Sequence, residues 1–384
     1  GLDLDLHLTT DTMLRKFVAD SLSPPNMNPV EFKMDLEDVP FDLRRHLQYE
    51  PPSHVKTLEF KDVPFPYSPE IQRNFPGIAY TRPFRLLSDE GTRILKSIVM
   101  RYKDAHLKQN ERNKCLRGLG YLSKWVRDFT FNPEVNKIFA DLSLQPLSPH
   151  NGIMNHGHTN FGEPGAGRAV DQWHVDSTDY VCVLILSDMT DMDGGELQVL
   201  QMADATGKFF DELMVKGVPK SKVETVNYKG AGYCVFMQGS KILHSVTPVL
   251  KARGPRISFV QSFSNRNVFA DDRTRLVAFR DQFDDPDDVA NLEYARHKAW
   301  RVKGQMQYIA EKLKFGTSEK ELASIFANAA KELLKARKLL LREISDLPGF
   351  LVNEKDKVTT SGKDRGTKEK DDSKEENGAP RAKL

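Results

Sequence analysis

The feature that most limits the fold of this chain is a block of short apolar runs between about residues 151 and 263. The runs are rich in β-branched and aliphatic residues and are separated by Gly and Asp; they span 180–186, 233–237 and 257–263. Such runs predict buried strands. Helical spacing of apolar residues precedes and follows the block. This order predicts an α+β protein with a double-stranded β-helix core (jelly-roll or cupin-like), buttressed by N-terminal and C-terminal helices.

Composition along the chain divides it into four segments. Residues 1–75 are rich in Pro and predict an irregular arm packed on the core. Residues 76–270 contain the jelly-roll domain with its helical buttress. Residues 271–350 predict a C-terminal helical extension packed on the core, and residues 351–384 are so charged that we expect a disordered tail.

The C-terminal extension carries an apolar stripe at helical spacing. Its members are Leu322, Ile325, Phe326, Ala329, Leu333 and Leu340. A stripe of this kind favours packing within the chain, and the alternative is the seam of a homodimer.

His174 and Asp176, followed far downstream by His244, point most sharply to a chemistry. A His-x-Asp pair on a β-strand places both side chains on one face, because successive side chains alternate. A third ligand from a distant strand would then complete one face of an octahedron. Two imidazoles and a carboxylate suit Fe(II), and the positions left open are typical of a catalytic centre. The pair alone is common by chance, but the combination with His244 is not.

Arg256 and Ser258 follow the distal histidine and share one face of a predicted strand. A planar guanidinium grips a carboxylate through two parallel hydrogen bonds. The sequence therefore predicts an anion site behind the metal. Arg253 is the alternative, but it lies in the turn-prone run Ala252–Pro255.

From Pro83 to Phe263 the chain resembles the Fe(II)/2-oxoglutarate-dependent dioxygenases, and more narrowly their phytanoyl-CoA dioxygenase-like branch. The segments that carry the resemblance are Trp173-His174-Val175-Asp176, Pro83–Glu90, Asn132–Val135, Gly194–Val199 and Gly239–His244. Within it, Ser88 or Asp89 is expected to cap a first helix, and Asn132–Val135 resembles the start of the next helix.

The resemblance implies an oxidoreductase that uses Fe(II), 2-oxoglutarate and O2, with ascorbate as a reductant. His174, Asp176 and His244 would be the catalytic iron ligands, and Arg256 would anchor 2-oxoglutarate. The enzyme would oxidise a C–H bond while 2-oxoglutarate is decarboxylated to succinate and CO2. Family members that halogenate replace the carboxylate ligand with a small residue, so Asp176 favours hydroxylation; desaturation and cyclisation stay open.

Further residues are predicted to surround the metal. Thr178 and Tyr180 continue the even-numbered face of the ligands and are expected to contact the co-substrate, although Tyr180 fits the core equally well.

Substrate contacts are expected from two neighbouring segments. His156, His158 and Asn160 alternate along a strand-like stretch and are expected to line the substrate pocket, the alternative being a solvated strand end. Arg168, in a Gly-rich loop, is expected to meet an anionic group of the substrate, the alternative being an ordinary surface arginine.

Charge and apolar patterning limit the partners. Lys and Arg (56) nearly balance Asp and Glu (54), so nucleic-acid binding is not expected. The three cysteines and the lack of a long apolar run favour a cytoplasmic protein without a membrane segment. The final Ala382-Lys383-Leu384 resembles a peroxisomal address, which is the alternative compartment.

Three functions remain open at this point. The first is oxidation of a small molecule, an amino acid or another carboxylate, in a biosynthetic pathway. The second is hydroxylation of a protein or peptide side chain. The third is a non-catalytic jelly-roll binding module, which would be expected to have lost a metal ligand or the co-substrate arginine.

Overall fold

The structure is a computed structural model that describes residues 38–64, 74–202, 212–213 and 215–346. Helices and large antiparallel sheets are combined in it, which confirms the predicted α+β class at this level. The charged tail 351–384 and the terminal Ala382-Lys383-Leu384 lie outside the described residues.

Helices lie on both sides of the strand-rich block in sequence, as the apolar spacing predicts. They are α1 (Leu43–His46), α2 (Asp89–His106), α3 (Leu119–Leu122), α4 (Lys124–Phe131), α5 (Pro133–Ser143), α6 (Asp287–Lys312) and α7 (Glu319–Leu340). Ser88 caps α2 by accepting from the Gly91 N–H, and Asn132 caps α5, whose first residue is Pro133. Both helix starts were predicted.

The strands between and before these helices are short. They are β1 (His54–Thr57), β2 (Asp62–Pro64), β3 (Ile78–Thr81), β4 (Phe84–Arg85), β5 (Leu107–Gln109), β6 (Lys114–Leu116), β7 (Leu147–Pro149), β8 (His156–Gly162), β9 (Asp171–His174), β10 (Tyr180–Ile185), β11 (Asp193–Gly194), β12 (Leu197–Leu200), β13 (Val223–Val226), β14 (Tyr233–Met237), β15 (His244–Val246), β16 (Val249–Lys251) and β17 (Arg256–Asn265).

Two antiparallel sheets hold the candidate site. The larger has the order β2-β1-β3-β14-β10-β17-β8-β6-β5, with β4 on β14 and β7 on β17, and the smaller has the order β13-β12-β15-β9. Apolar side chains from both sheets, such as Val183 and Val235 from the larger and Val199 and Val246 from the smaller, pack in one buried cluster. The core therefore lies between the sheets.

A second buried cluster joins the helices to the larger sheet. Trp125 and Phe129 of α4 and Phe139 of α5 pack with Phe236 and Phe259 of the strands. The ring centroids of Phe139 and Phe236 are 5.0 Å apart. This is the predicted helical buttress, and it fixes the sheet that carries β10 and β17.

The described part of the N-terminal segment, residues 38–64 and 74–75, is more regular than its prolines predict, and the rest of the predicted arm lies outside the described residues. Strands β1 and β2 extend the edge of the larger sheet, with Val55 facing Val63 and Thr81. The prolines Pro51 and Pro52 come just before β1, where the missing N–H groups break no ladder.

The apolar stripe of α7 divides between two faces. Ile325 is buried against Trp300 and Tyr308 of α6, and Ala329 is buried as well, whereas Phe326 and Leu333 are exposed. The stripe is thus used for packing within the chain, and the homodimer stays a prediction.

None of the helices in the described part of the chain is long and apolar enough to cross a membrane.

Candidate metal centre

The two histidines and the carboxylate predicted to bind metal lie together. His174 ends β9, His244 begins β15, and the two are register partners. Their ring centroids are 4.1 Å apart. With Asp176 they form a group whose ligand atoms all lie within 4.8 Å of one another, a spacing that one metal ion can bridge.

Backbone carbonyls orient both imidazoles. The Nδ1 of His174 is 2.6 Å from the Gln172 carbonyl oxygen, and the Nδ1 of His244 is 2.8 Å from the Ile242 carbonyl oxygen. Since a carbonyl only accepts, each Nδ1 carries the proton and each Nε2 keeps its lone pair. The Nε2 atoms lie 3.3 and 3.7 Å from the carboxylate oxygens of Asp176. Both lone pairs therefore face the point where a metal would sit.

Asp176 is a half-buried carboxylate whose buried Oδ2 lacks a hydrogen-bond partner among the described residues. Burial opposes its ionisation, yet His244, His174 and Arg112 outweigh burial and hold its pKa below the usual range. Its Oδ2 has no hydrogen-bond partner among the described residues. A charged oxygen in this position needs a cation, and the surrounding Nε2 atoms supply the remaining ligands. The donor set thus fits a divalent metal.

His244 is neutral near pH 7 in this setting. Burial, reinforced by the neighbouring His174, lowers the pKa of His244 to about 4. A neutral imidazole is the form that ligates metal.

Arg256 lies at the start of β17 and is fully buried. Its Nε donates to the Gly195 carbonyl at 2.7 Å and its Nη1 donates to Ser258 Oγ at 2.9 Å. Its Nη2 has no partner among the described residues, and burial lowers its pKa. Ser258 lines the cavity that contains the metal ligands. A buried guanidinium with one open donor is a site for an anion.

The rival Arg253 lies at the surface. Its side chain is 88% exposed and pairs with Asp191. It has neither the burial nor the contact with Ser258 that distinguishes Arg256.

Thr178 and Tyr180 lie in different environments. Thr178 lines the metal cavity, whereas Tyr180 stacks on Phe236 in the core, with ring centroids 5.7 Å apart. The expected alternation fails because β9 ends at His174 and β10 begins at Tyr180. The intervening loop resets the parity, so that the odd-numbered Val181 and Val183 face the cavity.

A bulge separates His156 from the other polar residues of β8. His158 pairs with Val260 and His156 pairs with Gln261, so that Gly157 is the extra residue, with φ +75°. His158 and Asn160 line the cavity. His156 does not; its ring packs against Phe131 and its Nε2 contacts the His150 carbonyl at 2.6 Å. The prediction that all three share a face is corrected by this bulge.

Arg168 is an exposed residue of the loop between β8 and β9 and is not part of the cavity wall. In the structure it is placed as the ordinary surface arginine that was the alternative.

Sequence reasoning missed a polar network beside His174. Arg112 donates from Nε and Nη2 to the two carboxylate oxygens of Asp171, at 2.6 and 3.0 Å. Asp171 also accepts from Asn160 Nδ2 at 3.2 Å, and its Oδ1 lies 3.6 Å from His174 Nδ1. No local motif marks Arg112, since it comes from a loop 59 positions before Asp171.

The segment between β17 and α6 forms a roof that was also missed. Phe279 and Phe283 line the cavity, and a π-helical turn at Ala278–Gln282 carries the first of them. Asp285 forms a buried ion pair with Arg117, whose guanidinium carbon lies 4.4 Å from the centroid of the Phe283 ring. The C-terminal extension thus contributes directly to the site.

The cavity enclosed by these residues has a volume of about 60 Å³. Its wall combines the three metal ligands with polar side chains and two aromatic rings. A cavity of this size and lining suits a compact ligand.

No protein-family model matches the sequence, and no curated protein matches it. The chain is similar to solved non-heme oxygenases. The alpha-ketoglutarate-dependent carbocyclase SnoK from nogalamycin biosynthesis is 13% identical, with 52% of this chain and 85% of that chain covered and a TM-score of 0.40. HygX from Streptomyces hygroscopicus, with nickel and 2-oxoglutarate bound, is 13% identical over 52% and 87%, with a TM-score of 0.38. A Pseudomonas putida prolyl-4-hydroxylase is 15% identical over 45% and 85%, with a TM-score of 0.30.

Proposed function

We propose that this protein is a non-haem Fe(II)- and 2-oxoglutarate-dependent dioxygenase that oxidises a C–H bond of a small molecule. The observation that carries the proposal is a pair of unsatisfied buried atoms. One is Asp176 Oδ2, beside two imidazole Nε2 atoms, and the other is Arg256 Nη2, beside Ser258. The first calls for a cation and the second for an anion. A ferrous ion and a dicarboxylate co-substrate would satisfy both.

The chain's own residues would have distinct tasks. His174, Asp176 and His244 would hold the metal on one face and leave the opposite face open. Arg256 and Ser258 would orient the far carboxylate of 2-oxoglutarate through charge-assisted hydrogen bonds. When bound, iron and 2-oxoglutarate would activate O2, which is the oxidant: one oxygen atom would enter succinate as 2-oxoglutarate loses CO2, and the other would oxidise the substrate C–H bond.

The roof would supply exclusion of water. Phe279 and Phe283 cover the cavity, so that a bound substrate is shielded while its C–H bond is oxidised. The small volume of the cavity, about 60 Å³, supports a small molecule over a protein or peptide side chain, since an extended peptide needs a long groove. Retention of every ligand and of Arg256 argues against the non-catalytic binding module.

The proposal also covers the fold topology, the family branch, the reaction type and the cellular location. The two sheets would be the halves of a double-stranded β-helix, and the Trp-His-x-Asp run favours the phytanoyl-CoA dioxygenase-like branch. Asp176 favours hydroxylation, with desaturation or cyclisation as other outcomes. A biosynthetic role on an amino acid or another carboxylate, and a cytoplasmic location, complete the proposal.

Succinate release tests the proposal. Protein supplied with Fe(II), 2-oxoglutarate, ascorbate and O2 should form succinate slowly even without substrate. His174→Ala and His244→Ala should abolish this release, and His54→Ala, at an exposed histidine, should not. Succinate formation that survives in both ligand variants would contradict the proposed metal centre.

A further inference from the structure

One arginine in the cavity wall has a donor nitrogen that no described residue uses. Arg112 uses Nε and Nη2 to hold Asp171, and its side chain remains 13% exposed. Its Nη1 makes no hydrogen bond with any residue that the structure describes. Because Arg112 lines the same cavity as the metal ligands, this nitrogen is available to a molecule bound there.

The other arginine of the cavity wall has no such donor. Arg117 donates from Nε and Nη2 to Asp285 and from Nη2 to Asn155 Oδ1 at 3.1 Å. Its Nη1 lies 3.0 Å from His158 Nδ1. Each of its nitrogens is therefore engaged, and Arg117 holds the roof in place.

Arg112 is held rigidly. Both oxygens of Asp171 accept hydrogen bonds from the Arg112 guanidinium. Asp171 is held in turn by Asn160 and by Asn113, whose Nδ2 lies 3.4 Å from Asp171 Oδ2. The Arg112 guanidinium carbon also lies 5.5 Å from the centroid of the Phe283 ring. A donor held by its neighbours loses little entropy when it binds a ligand.

A second cation, Arg275, interacts electrostatically with residues of the site but forms no ion pair with a described residue. Arg275, on the chain that leads into the roof, is partly buried and makes no hydrogen bond or ion pair with a described residue. Burial lowers its pKa, and Asp176 and Arg112 are among the charges that act on it. Asp346, the carboxylate that acts on it most strongly, instead accepts the backbone N–H groups of Leu276 and Val277.

Two of the charges in the cavity wall are paired. Arg112 pairs with Asp171, and Arg117 pairs with Asp285. A divalent metal and a dicarboxylate co-substrate balance one another. His158 adds nothing, since burial, reinforced by Arg117, lowers its pKa to about 3. Arg275 interacts with Asp346 without forming an ion pair with it, and a partly buried cation in that state favours an anionic ligand.

We propose that Arg112 anchors a carboxylate of the substrate through Nη1, with Arg275 supplying the balancing positive charge. This inference rests on the proposed function and assigns to Arg112 the anion-binding role that the sequence suggested for Arg168. The substrate class would be small carboxylic acids, including amino acids.

Thermal unfolding of the protein loaded with Ni(II) and 2-oxoglutarate tests whether Arg112 anchors a substrate carboxylate. The probes are straight-chain carboxylic acids and α-amino acids, each compared with its own primary amide at constant ionic strength. At least one acid should raise the midpoint temperature while its amide does not. Equal responses to acid and amide, or no response to any acid, would overturn the anchor.

Variants then locate the site of binding. Arg112→Lys and Arg275→Gln should each raise the half-saturating acid concentration by about tenfold or more, the scale of one charge-assisted hydrogen bond. Arg275→Gln removes no hydrogen bond from the described structure, so it covers the case in which Arg112→Lys fails to fold. Arg44→Lys, at an exposed arginine, is the matched control. A loss with Arg168→Lys but not with Arg112→Lys would overturn the proposal.

The thermal measurement separates a failure of the proposed function from a failure of the carboxylate anchor. If Ni(II) with 2-oxoglutarate does not itself raise the midpoint temperature, the proposed function fails. If it does, and acids are not distinguished from amides, only the carboxylate anchor fails.

Discussion

Gly239 lies against Asp176 so closely that a Cβ at position 239 would stand 1.9 Å from the Asp176 Oδ2. The Asp176 N–H also donates to the Gly239 carbonyl at 2.9 Å. The backbone that leads to the distal histidine therefore shapes the space occupied by the proximal carboxylate. Only glycine permits this approach.

Gly239→Ala should weaken metal binding, because the added methyl must displace the Asp176 carboxylate. We expect a loss of about tenfold to a hundredfold in metal affinity, the scale seen when groups supporting a metal ligand are changed. Metal titration monitored by calorimetry measures it. Gly254→Ala is the control, since a Cβ there meets nothing within 4 Å. Equal affinities for the two variants would show that Asp176 is not held by this contact.

Arg256→Gln should raise the dissociation constant of 2-oxoglutarate and leave metal binding in place. A buried guanidinium that meets a carboxylate contributes on the order of 2–5 kcal/mol when truncated. Anaerobic titration of the metal-loaded protein with 2-oxoglutarate gives the constant directly. Arg253→Gln, at the exposed neighbour, should behave like the unchanged protein. The reverse pattern would move the anchor to Arg253.

Breaking the buried ion pair between Arg117 and Asp285 should destabilise the roof. Asp285→Asn leaves the Arg117 charge buried without a counterion, and we expect a loss of about 3–5 kcal/mol in the free energy of unfolding. Denaturant titration measures the loss. Asp141→Asn breaks an exposed pair with Lys137 and should cost less than about 1 kcal/mol. Similar losses in both variants would mean that the pair does not fasten the roof.

Glu293 should make stability depend on pH. Burial is the largest influence on this residue and raises its pKa to about 7, although Tyr121 and the Ile153 and Met154 N–H groups donate to its carboxylate. Its folded-state pKa lies above the unfolded value of about 4.3. The stabilising contribution is therefore full below about pH 4 and is lost as pH rises through 7.

Denaturant titrations between pH 5 and 8 test this linkage. The unchanged protein should lose stability across that range, and Glu293→Gln should flatten the dependence. Glu311→Gln, at an exposed glutamate, should leave the slope as it is. An unaltered slope in Glu293→Gln would assign the pH dependence to other groups.

Much of the site could be predicted because its residues lie in compact motifs. Short spacings identified the pairs His174 and Asp176, and Arg256 and Ser258, and His244 was recognised as a third ligand far downstream. The structure gathers the two histidines with Asp176 and joins Arg256 to Ser258 by a hydrogen bond. The start of α2 followed from a capping residue, whose effect is local, and the start of α5 followed from the resemblance of Asn132–Val135.

The parts of the site that the sequence did not predict depend on contacts between distant segments of the chain. Strand alternation placed His156 and Tyr180 in the pocket, but the bulge at Gly157 and the loop after His174 each reset the parity. The bond between Arg112 and Asp171 joins segments that share no spacing rule. The roof around Phe283 likewise comes from a part of the chain predicted only as helical packing.

The most direct measurement of the metal and co-substrate site is the visible absorption of the protein with Fe(II) and 2-oxoglutarate under anaerobic conditions. We expect a weak band from the chelated keto acid in the unchanged protein and its loss in His244→Ala. A metal-loaded protein that shows no such band on addition of 2-oxoglutarate would contradict the account.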